Sequence, residues 1–244
     1  CLIAPPIGMS EAAFKTAGLA FWMASWWVSE VVPIPATALL PIVISPLVGI
    51  AAIKSVTAPY AHPLIFLFLG GFLISIAMER WGLHKRIALS TMLYAGKKPS
   101  LQILAMMLVT AFLSMWMSNT ATAVMMLPIA LSITHLVKQS DPSNEGFGKA
   151  LLLSIAYGAS IGGIATLIGT PPNALMAAYL SDSYKIEIGF AQWMLVGVPL
   201  SISMLIISWL WLTKFAYKVD KNVKNNQSID TKAVFTKQLS ELGT

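Results

Sequence analysis

The feature that most constrains this chain is the distribution of its charged residues, which leaves long stretches without any. The segments from Pro99 to Val137 and from Ala150 to Ser181 contain no Asp, Glu, Lys or Arg. Hydrophobic residues make up 57% of the chain and charged residues only 11%, with a mean hydropathy of +0.74. Helices of a water-soluble domain need a polar face, and these stretches lack one. The sequence therefore predicts an all-α polytopic membrane protein.

Four other stretches approach the roughly 20 residues that a membrane-spanning helix needs. Loops rich in Lys and Arg stay in the cytoplasm, which places a short basic loop at 80–98 and a polar, basic tail at 214–244 on that side. The basic residues lie in this loop and tail rather than on one folded face, so no nucleic-acid partner is expected. The four predicted spans are 16–32, 33–53, 62–78 and 190–213.

The stretch 99–137 leaves two topologies open. An even number of crossings must separate the two cytoplasmic regions, so this stretch contributes zero or two if 150–181 and 190–213 each cross once. Each of its arms has about 17 to 18 residues, or roughly 26 Å, which is marginal for crossing. Length therefore favours a re-entrant hairpin over two short spans. The end of the second stretch, 171–180, is too short to span alone, so 150–181 is predicted to be one broken helix.

Polar or helix-breaking residues lie in the middle of both long stretches. Ser118, Asn119 and Thr120 interrupt the first, and the segment from Gly162 to Asn173 interrupts the second. Each interruption is predicted to contain the C-terminus of one helix and the N-terminus of the next. Carbonyls at the first favour a cation, and free N–H groups at the second favour an anion. Irregular backbone at membrane depth is tolerated where it is buried in protein or lines a binding site.

The side chains at the first interruption fit this chemistry. Ser114 and Ser118 are four residues apart and would share one helical face, and with the Asn119 amide oxygen they offer neutral ligands for a small cation such as Na⁺. Asn119 and Thr120 can donate hydrogen bonds to a carboxylate. Neither interruption contains Lys or Arg, so bound cations would have to supply the charge that a divalent anion needs. Cation-coupled anion uptake is the hypothesis, and helix capping by these residues is the structural alternative.

Three segments, "SEVVPIPATALLPIVISPLVG", "SNTATAVMMLPIA" and "SIGGIATLIGTPPN", resemble the divalent anion:sodium symporter family. Its members carry succinate, malate, citrate and related dicarboxylates. The resemblance runs from about Phe14 to Tyr217 and implies one of two inverted repeats, with a re-entrant helical hairpin and a broken transmembrane helix. The family works as a homodimeric elevator in the lipid bilayer. Because a second Ser-Asn-Thr motif is absent, the chain resembles the first repeat alone.

The resemblance also implies a domain organisation. Residues 1–98 would be scaffold helices, the first of them truncated. Residues 99–213 would form part of the transport domain, followed by a cytoplasmic linker or tail at 214–244. Within the transport part the implied elements are a re-entrant hairpin at 99–137, a broken helix at 147–181 and a helix at 190–213.

The implied function is sodium-coupled transport of C4-dicarboxylates (succinate, malate, fumarate) across the plasma (inner) membrane, with Na⁺ as the coupling ion and no enzymatic activity. A dicarboxylate exchanger without net sodium movement and an inactive half-fragment are the alternatives. The implied substrate-binding residues are Asn119, Thr120, Ser118, Thr170 and Asn173. The implied sodium ligands are Ser114, Ser118 and Asn119, with backbone carbonyls between Ala165 and Gly169.

Overall fold

The chain is helical, as predicted, in the residues that the structure, a computed structural model, describes: 5–96, 98–140, 145–219, 236, 239 and 240. Most of the predicted tail at 214–244 lies outside these residues. A 3-10 turn at Ala58–Ala61 precedes α5, and a π-helical turn at Trp211–Ala216 extends α11. The helices are α1 (Glu11–Ser29), α2 (Ile34–Ala38), α3 (Leu40–Leu47), α4 (Ile53–Thr57), α5 (Pro63–Arg80), α6 (Leu83–Ala95), α7 (Pro99–Ser114), α8 (Asn119–Ser140), α9 (Glu145–Ile164), α10 (Pro171–Tyr184) and α11 (Phe190–Leu210).

Three helical segments of the described residues are long and apolar enough to cross a membrane. They are Pro63–Arg80, Gly146–Ile164 and Phe190–Ala216. The first and third confirm the predicted stretches at 62–78 and 190–213 as candidate spans. The second is the first arm of the predicted broken helix.

The predicted spans at 16–32 and 33–53 differ from the structure. Helix α1 ends at Ser29 because Glu30 takes a left-handed conformation, with φ 51°, so the helix does not continue through residues 31 and 32. The stretch 33–53 divides into α2 and α3, whose apolar run ends at Leu47. Pro41 lacks the N–H that would bond to the carbonyl of Thr37, and its ring crowds the preceding turn, so a new short helix begins there.

The predicted basic loop at 80–98 contains helix α6. Its two charged residues, Lys85 and Arg86, are exposed, whereas His84, Leu89 and Met92 are buried. These residues recur at helical spacing, so one face of α6 packs on the protein core while the other carries the charges. The segment is therefore an amphipathic helix rather than an irregular loop.

The chain divides into two compact units, of which the first ends at Phe66 and the second begins at Leu67. In the first unit α1, α2 and α3 pack on one another, and the Tyr60 hydroxyl donates to the carbonyl of Ala38 at 2.6 Å. In the second unit α7 is central and packs against α6, α8, α9 and α11. Most of its side chains are buried, among them Ile103 and Met106.

Two glycines of α9 allow its backbone to approach α7 closely. A Cβ atom at Gly158 would lie 2.8 Å from the carbonyl oxygen of Met107, and one at Gly162 would overlap the backbone of Ala111. Any larger residue at these positions would push the helices apart, as expected for small residues at a helix contact in a membrane protein. The α7–α9 contact fixes the position of the C-terminal ends of both helices.

Both predicted interruptions are present. Helices α7 and α8 form a helical hairpin whose turn, here called the first break, is residues 115–118. Residues 165–170, here called the second break, separate α9 from α10, and Pro171 begins α10 as predicted. Helix α7 has 16 residues and is about 24 Å long, which is less than the hydrocarbon thickness of a typical bilayer.

Candidate functional site between the two breaks

Ser114 and Asn119 meet on either side of the first break. Ser114 is the last residue of α7 and is fully buried, and its hydroxyl donates to the carbonyl oxygen of Ala159 on α9 at 2.7 Å. Asn119 begins α8, and its amide lies 2.7 Å from Ser114 Oγ. A hydroxyl has one proton, which Ala159 receives here, so the Asn119 amide turns its nitrogen toward Ser114.

In this orientation the Asn119 amide nitrogen is surrounded by three acceptors. It lies 2.7 Å from Ser114 Oγ, 3.1 Å from the Ala159 carbonyl oxygen and 3.3 Å from the Gly169 carbonyl oxygen, and its two protons are shared among these acceptors. The three oxygens come from α7, α9 and the second break, so one side chain connects three segments. Uncharged oxygens that converge on one point are also the ligand type that a small, hard cation accepts.

Gly163 makes room for the Asn119 amide. With the amide in this orientation, a Cβ atom at position 163 would overlap the amide nitrogen and lie 3.1 Å from the amide oxygen. Gly163 is buried in the last turn of α9, so the backbone there has no space into which it can withdraw. The position therefore requires glycine if Asn119 is to keep its place.

Two buried side chains hold the backbone of the second break. Asn173 Nδ2 donates to the carbonyls of Gly163 at 2.9 Å and Thr166 at 2.8 Å. The Thr166 hydroxyl accepts a hydrogen bond from the Gly169 N–H at 3.0 Å and donates to the carbonyl of Met115, in the first break, at 2.5 Å. The second break is therefore fixed both internally and to the first break.

The hydrogen bonds around the second break leave some of its backbone carbonyls without a donor. Trp193 on α11 donates its indole N–H to the carbonyl of Ile164 at 2.9 Å, and Thr166 donates nothing to its own segment. Within the described part of the chain, the carbonyl oxygens of Ala165, Leu167 and Ile168 accept no hydrogen bond. These oxygens can serve a ligand without displacing a protein donor.

The remaining predicted site residues lie apart from this cluster. Ser118 is exposed, and its hydroxyl accepts from the Ala121 N–H at 3.2 Å, which caps α8. The prediction that Ser114 and Ser118 share a helical face is wrong, because α7 ends at Ser114. Thr120 is exposed on the first turn of α8, and Thr170 precedes α10 without a side-chain capping bond.

Neither break carries a charged side chain. The sequence analysis did not single out Thr166 or Trp193, whose hydrogen bonds shape the site. Their partners lie 51 and 29 residues away, and no local pattern signals such contacts. The clustering of glycines around them was the only available sign that backbones approach closely there.

Comparisons with known proteins bear on the whole chain. The family model described as CitMHS, citrate transporter, matches residues 24–240. A "Sodium-dependent dicarboxylate transporter SdcS" of Staphylococcus saprophyticus is 39% identical over 249 residues, which is 99% of this chain and 47% of the relative. The protein of the same name from Staphylococcus aureus strain USA300 is 41% identical over 232 residues, 92% of this chain and 44% of the relative. The chain thus spans a little under half the length of these relatives.

These matches confirm the resemblance to the divalent anion:sodium symporters. They identify a family of transporters rather than of enzymes. Together with the apolar helices they make the protein an integral, multi-pass membrane protein. Because the family model covers most of the sequence, we conclude that the chain belongs to the citrate transporter family.

Proposed function

We propose that this chain forms part of a sodium-coupled carrier of C4-dicarboxylates such as succinate, malate and fumarate, and that Na⁺ binds between the two breaks. The observation that carries the proposal is the convergence of Ser114 Oγ and the carbonyls of Ala159 and Gly169 on the amide of Asn119. The name of the two relatives, sodium-dependent dicarboxylate transporter, supports both the ion and the class of substrate.

A half-turn of the Asn119 amide would convert the cluster into a cation site. Rotation about the Cβ–Cγ bond exchanges the amide nitrogen and oxygen, so that Oδ1 joins Ser114 Oγ and the carbonyls of the second break around Na⁺. The available carbonyls between Ala165 and Gly169 complete the ligand set. Ser118 is the further sodium ligand of this proposal, and in the structure its hydroxyl accepts from the Ala121 N–H and caps α8.

The same rotation provides for the substrate. It frees the amide nitrogen of Asn119, which with the Thr120 hydroxyl and the N–H groups at the start of α8 can donate to a carboxylate. Burying a dianion without a compensating charge is prohibitive, and the breaks contain no Lys or Arg. Bound Na⁺ supplies that charge, so the anion binds well only after the cation. Asn173 holds the second break in the required shape through its bonds to the carbonyls of Gly163 and Thr166, and Thr170, which precedes α10, remains a further proposed substrate-binding residue.

The proposal includes a topology. The hairpin at 99–137 is re-entrant, the broken helix is 147–181, and the helix at 190–213 completes this part of the transport domain. Residues 1–98 belong to the scaffold and 214–244 to a cytoplasmic tail. The shortness of α7 supports a hairpin that reaches the middle of the plasma (inner) membrane and returns. An inverted second repeat, a homodimer and elevator movement complete the proposed carrier.

The direct test is uptake of radiolabelled succinate into proteoliposomes that contain the full-length protein. We expect uptake to require an inward sodium gradient and to be lost in Asn119→Ala, which removes both the oxygen ligand and the N–H donor. Ser203→Ala is the control, because Ser203 is exposed and its hydroxyl bonds only to the Pro199 carbonyl of its own helix. It should transport as the unsubstituted protein does.

Two results would contradict the proposal. Uptake that ignores the sodium gradient but requires dicarboxylate inside the vesicles would identify an exchanger. Sodium-dependent uptake of citrate without succinate, fumarate or malate would overturn the C4 assignment while leaving the sodium site in place.

A further inference from the structure

Thr166 joins the two breaks through one hydroxyl group. Its Oγ1 donates to the carbonyl of Met115 at 2.5 Å and accepts from the N–H of Gly169 at 3.0 Å. The residue is fully buried. One side chain therefore ties the turn of the hairpin to the last part of the second break, over a sequence separation of 51 residues.

Each of the two partners of Thr166 adjoins or belongs to the cluster around Asn119. Met115 directly follows Ser114, and the Gly169 carbonyl contacts the Asn119 amide at 3.3 Å. The Thr166 hydroxyl consequently sets the distance between Ser114 and the carbonyls of the second break. A cation site built from two separate segments has the affinity and size selectivity that this distance allows.

A second link between the breaks depends on Asn119 itself. The amide nitrogen donates to Gly169 in the orientation that the surrounding acceptors favour, and the rotation proposed above removes this hydrogen bond. The Thr166 link does not involve Asn119 and survives the rotation. The hydrogen bond from the Thr166 hydroxyl to the Met115 carbonyl then keeps the two breaks together while the cation is bound.

We infer that Thr166 is a positioning residue for the sodium site, which it holds in register without touching the ion. This inference rests on the proposed function and adds a residue to it. The hydroxyl is the required part of the side chain, because both hydrogen bonds pass through Oγ1. The methyl group is dispensable.

The test compares Thr166→Val, which keeps the shape and loses the hydroxyl, with Thr166→Ser, which keeps the hydroxyl. Thr110→Val is the matched control. Thr110 is also fully buried, but its hydroxyl donates to the Met106 carbonyl one turn back in its own helix. Full-length proteins in proteoliposomes are assayed for the sodium concentration that gives half-maximal succinate uptake, and for sodium-dependent thermal stabilisation in detergent without dicarboxylate.

In Thr166→Val we expect the half-maximal sodium concentration to rise about tenfold, as befits the loss of a buried hydrogen bond. The maximal uptake rate at saturating sodium should stay within about twofold of the unsubstituted protein, and discrimination between Na⁺ and Li⁺ should decrease because the ligand spacing is no longer fixed. Thr166→Ser should restore the sodium response, and Thr110→Val should leave it unchanged.

Two outcomes would overturn the inference alone. One is a Thr166→Val protein with unchanged sodium dependence and a reduced maximal rate, since that pattern indicates a role in folding only. The other is an equal defect in Thr166→Ser, which would assign the effect to the methyl group. An unsubstituted protein that shows neither sodium-dependent uptake nor sodium-dependent stabilisation would refute the proposed function, and the inference with it.

Discussion

The two breaks interrupt helices by different means. In the last turn of α9 and the second break, polar side chains bind the backbone: Asn173 donates to the carbonyls of Gly163 and Thr166, and Trp193 donates to that of Ile164. In the first break the buried residue is apolar, since Met117 is fully enclosed, and Trp116 stacks on Phe190 with ring centroids 6.2 Å apart. Packing and one side-chain hydrogen bond to its backbone, from Thr166 to the Met115 carbonyl, hold the first break, whereas the hydrogen bonds of Asn173 and Thr166 hold the second.

This difference gives the two breaks different roles in the candidate site. A network of hydrogen bonds with few alternatives fixes carbonyl positions, which a set of cation ligands requires. Asn119, directly after the first break, instead contributes a side-chain amide, and the proposed half-turn about its Cβ–Cγ bond exchanges the atom that it presents to the cluster. In the proposed site the second break supplies ligands at fixed positions, and the Asn119 amide beside the first break is the group that rotates.

The largest expected effect is at Gly163, in the last turn of α9, where it contacts Asn119. Gly163→Ala places a methyl group in the space of the Asn119 amide, so we expect succinate uptake to fall at least about a hundredfold through loss of the site geometry. The control is Gly70→Ala, because a Cβ at Gly70 meets nothing within 4 Å. Near-normal uptake by Gly163→Ala would show that Asn119 need not occupy this position.

The next effect concerns the rigidity of the second break. Asn173→Ala leaves the carbonyls of Gly163 and Thr166 without their donor in a buried place, which should lower the free energy of unfolding by about 2–4 kcal/mol. Denaturation monitored by intrinsic fluorescence in detergent measures this change. A loss below about 0.5 kcal/mol would mean that the second break is not held by this network, and the contrast between the breaks would disappear.

A smaller effect is expected at the first break. Ser118→Ala removes the cap of α8 and should cost about 1 kcal/mol of stability. Because the Ser118 hydroxyl is engaged in capping, we expect the sodium dependence of uptake to shift less than in Ser114→Ala, whose hydroxyl is at the centre of the cluster. Equal shifts in the two variants would make the Ser118 hydroxyl a direct sodium ligand.

The smallest expected effect is the pH dependence of stability due to His84, which lies outside both breaks. Burial on α6 lowers the pKa of His84 from its usual 6.5, more strongly than the hydrogen bond to the Met78 backbone raises it. The unfolded chain then binds a proton that the folded protein excludes. Stability is therefore complete above about pH 6.5 and decreases as the pH falls below that value toward the lowered pKa. Melting temperatures between pH 5 and 8 should show this decrease, and His84→Gln should reduce it.

Parts of this architecture could be predicted from the sequence. The second break follows from its composition, because glycines, Thr170 and Pro171 end one helix and start another by strong local rules. The candidate spans α5 and α11 follow from length and hydropathy alone. These features depend on properties of neighbouring residues, so no tertiary information is needed.

Other parts could not be predicted because they depend on distant contacts. Helix α6 cannot be found from average hydropathy, since Lys85 and Arg86 lower the average of a short segment in which Leu89 and Met92 are buried. The role of Thr166 depends on Met115, and the shared face of Ser114 and Ser118 failed because the helix stops one turn earlier than that spacing assumes. Side-chain orientation at the site is decided by packing between helices that lie far apart in sequence.

The most direct test of the central claim is a pair of cryo-electron microscopy structures of the full-length protein in nanodiscs, one in sodium chloride and one in choline chloride. The account predicts a density feature, present only with sodium, in contact with Ser114 Oγ, Asn119 Oδ1 and the carbonyls of the second break. It also predicts that the Asn119 amide contacts the Gly169 carbonyl only without sodium. A sodium-dependent feature elsewhere, or an unoccupied space between the breaks in both maps, would contradict the account.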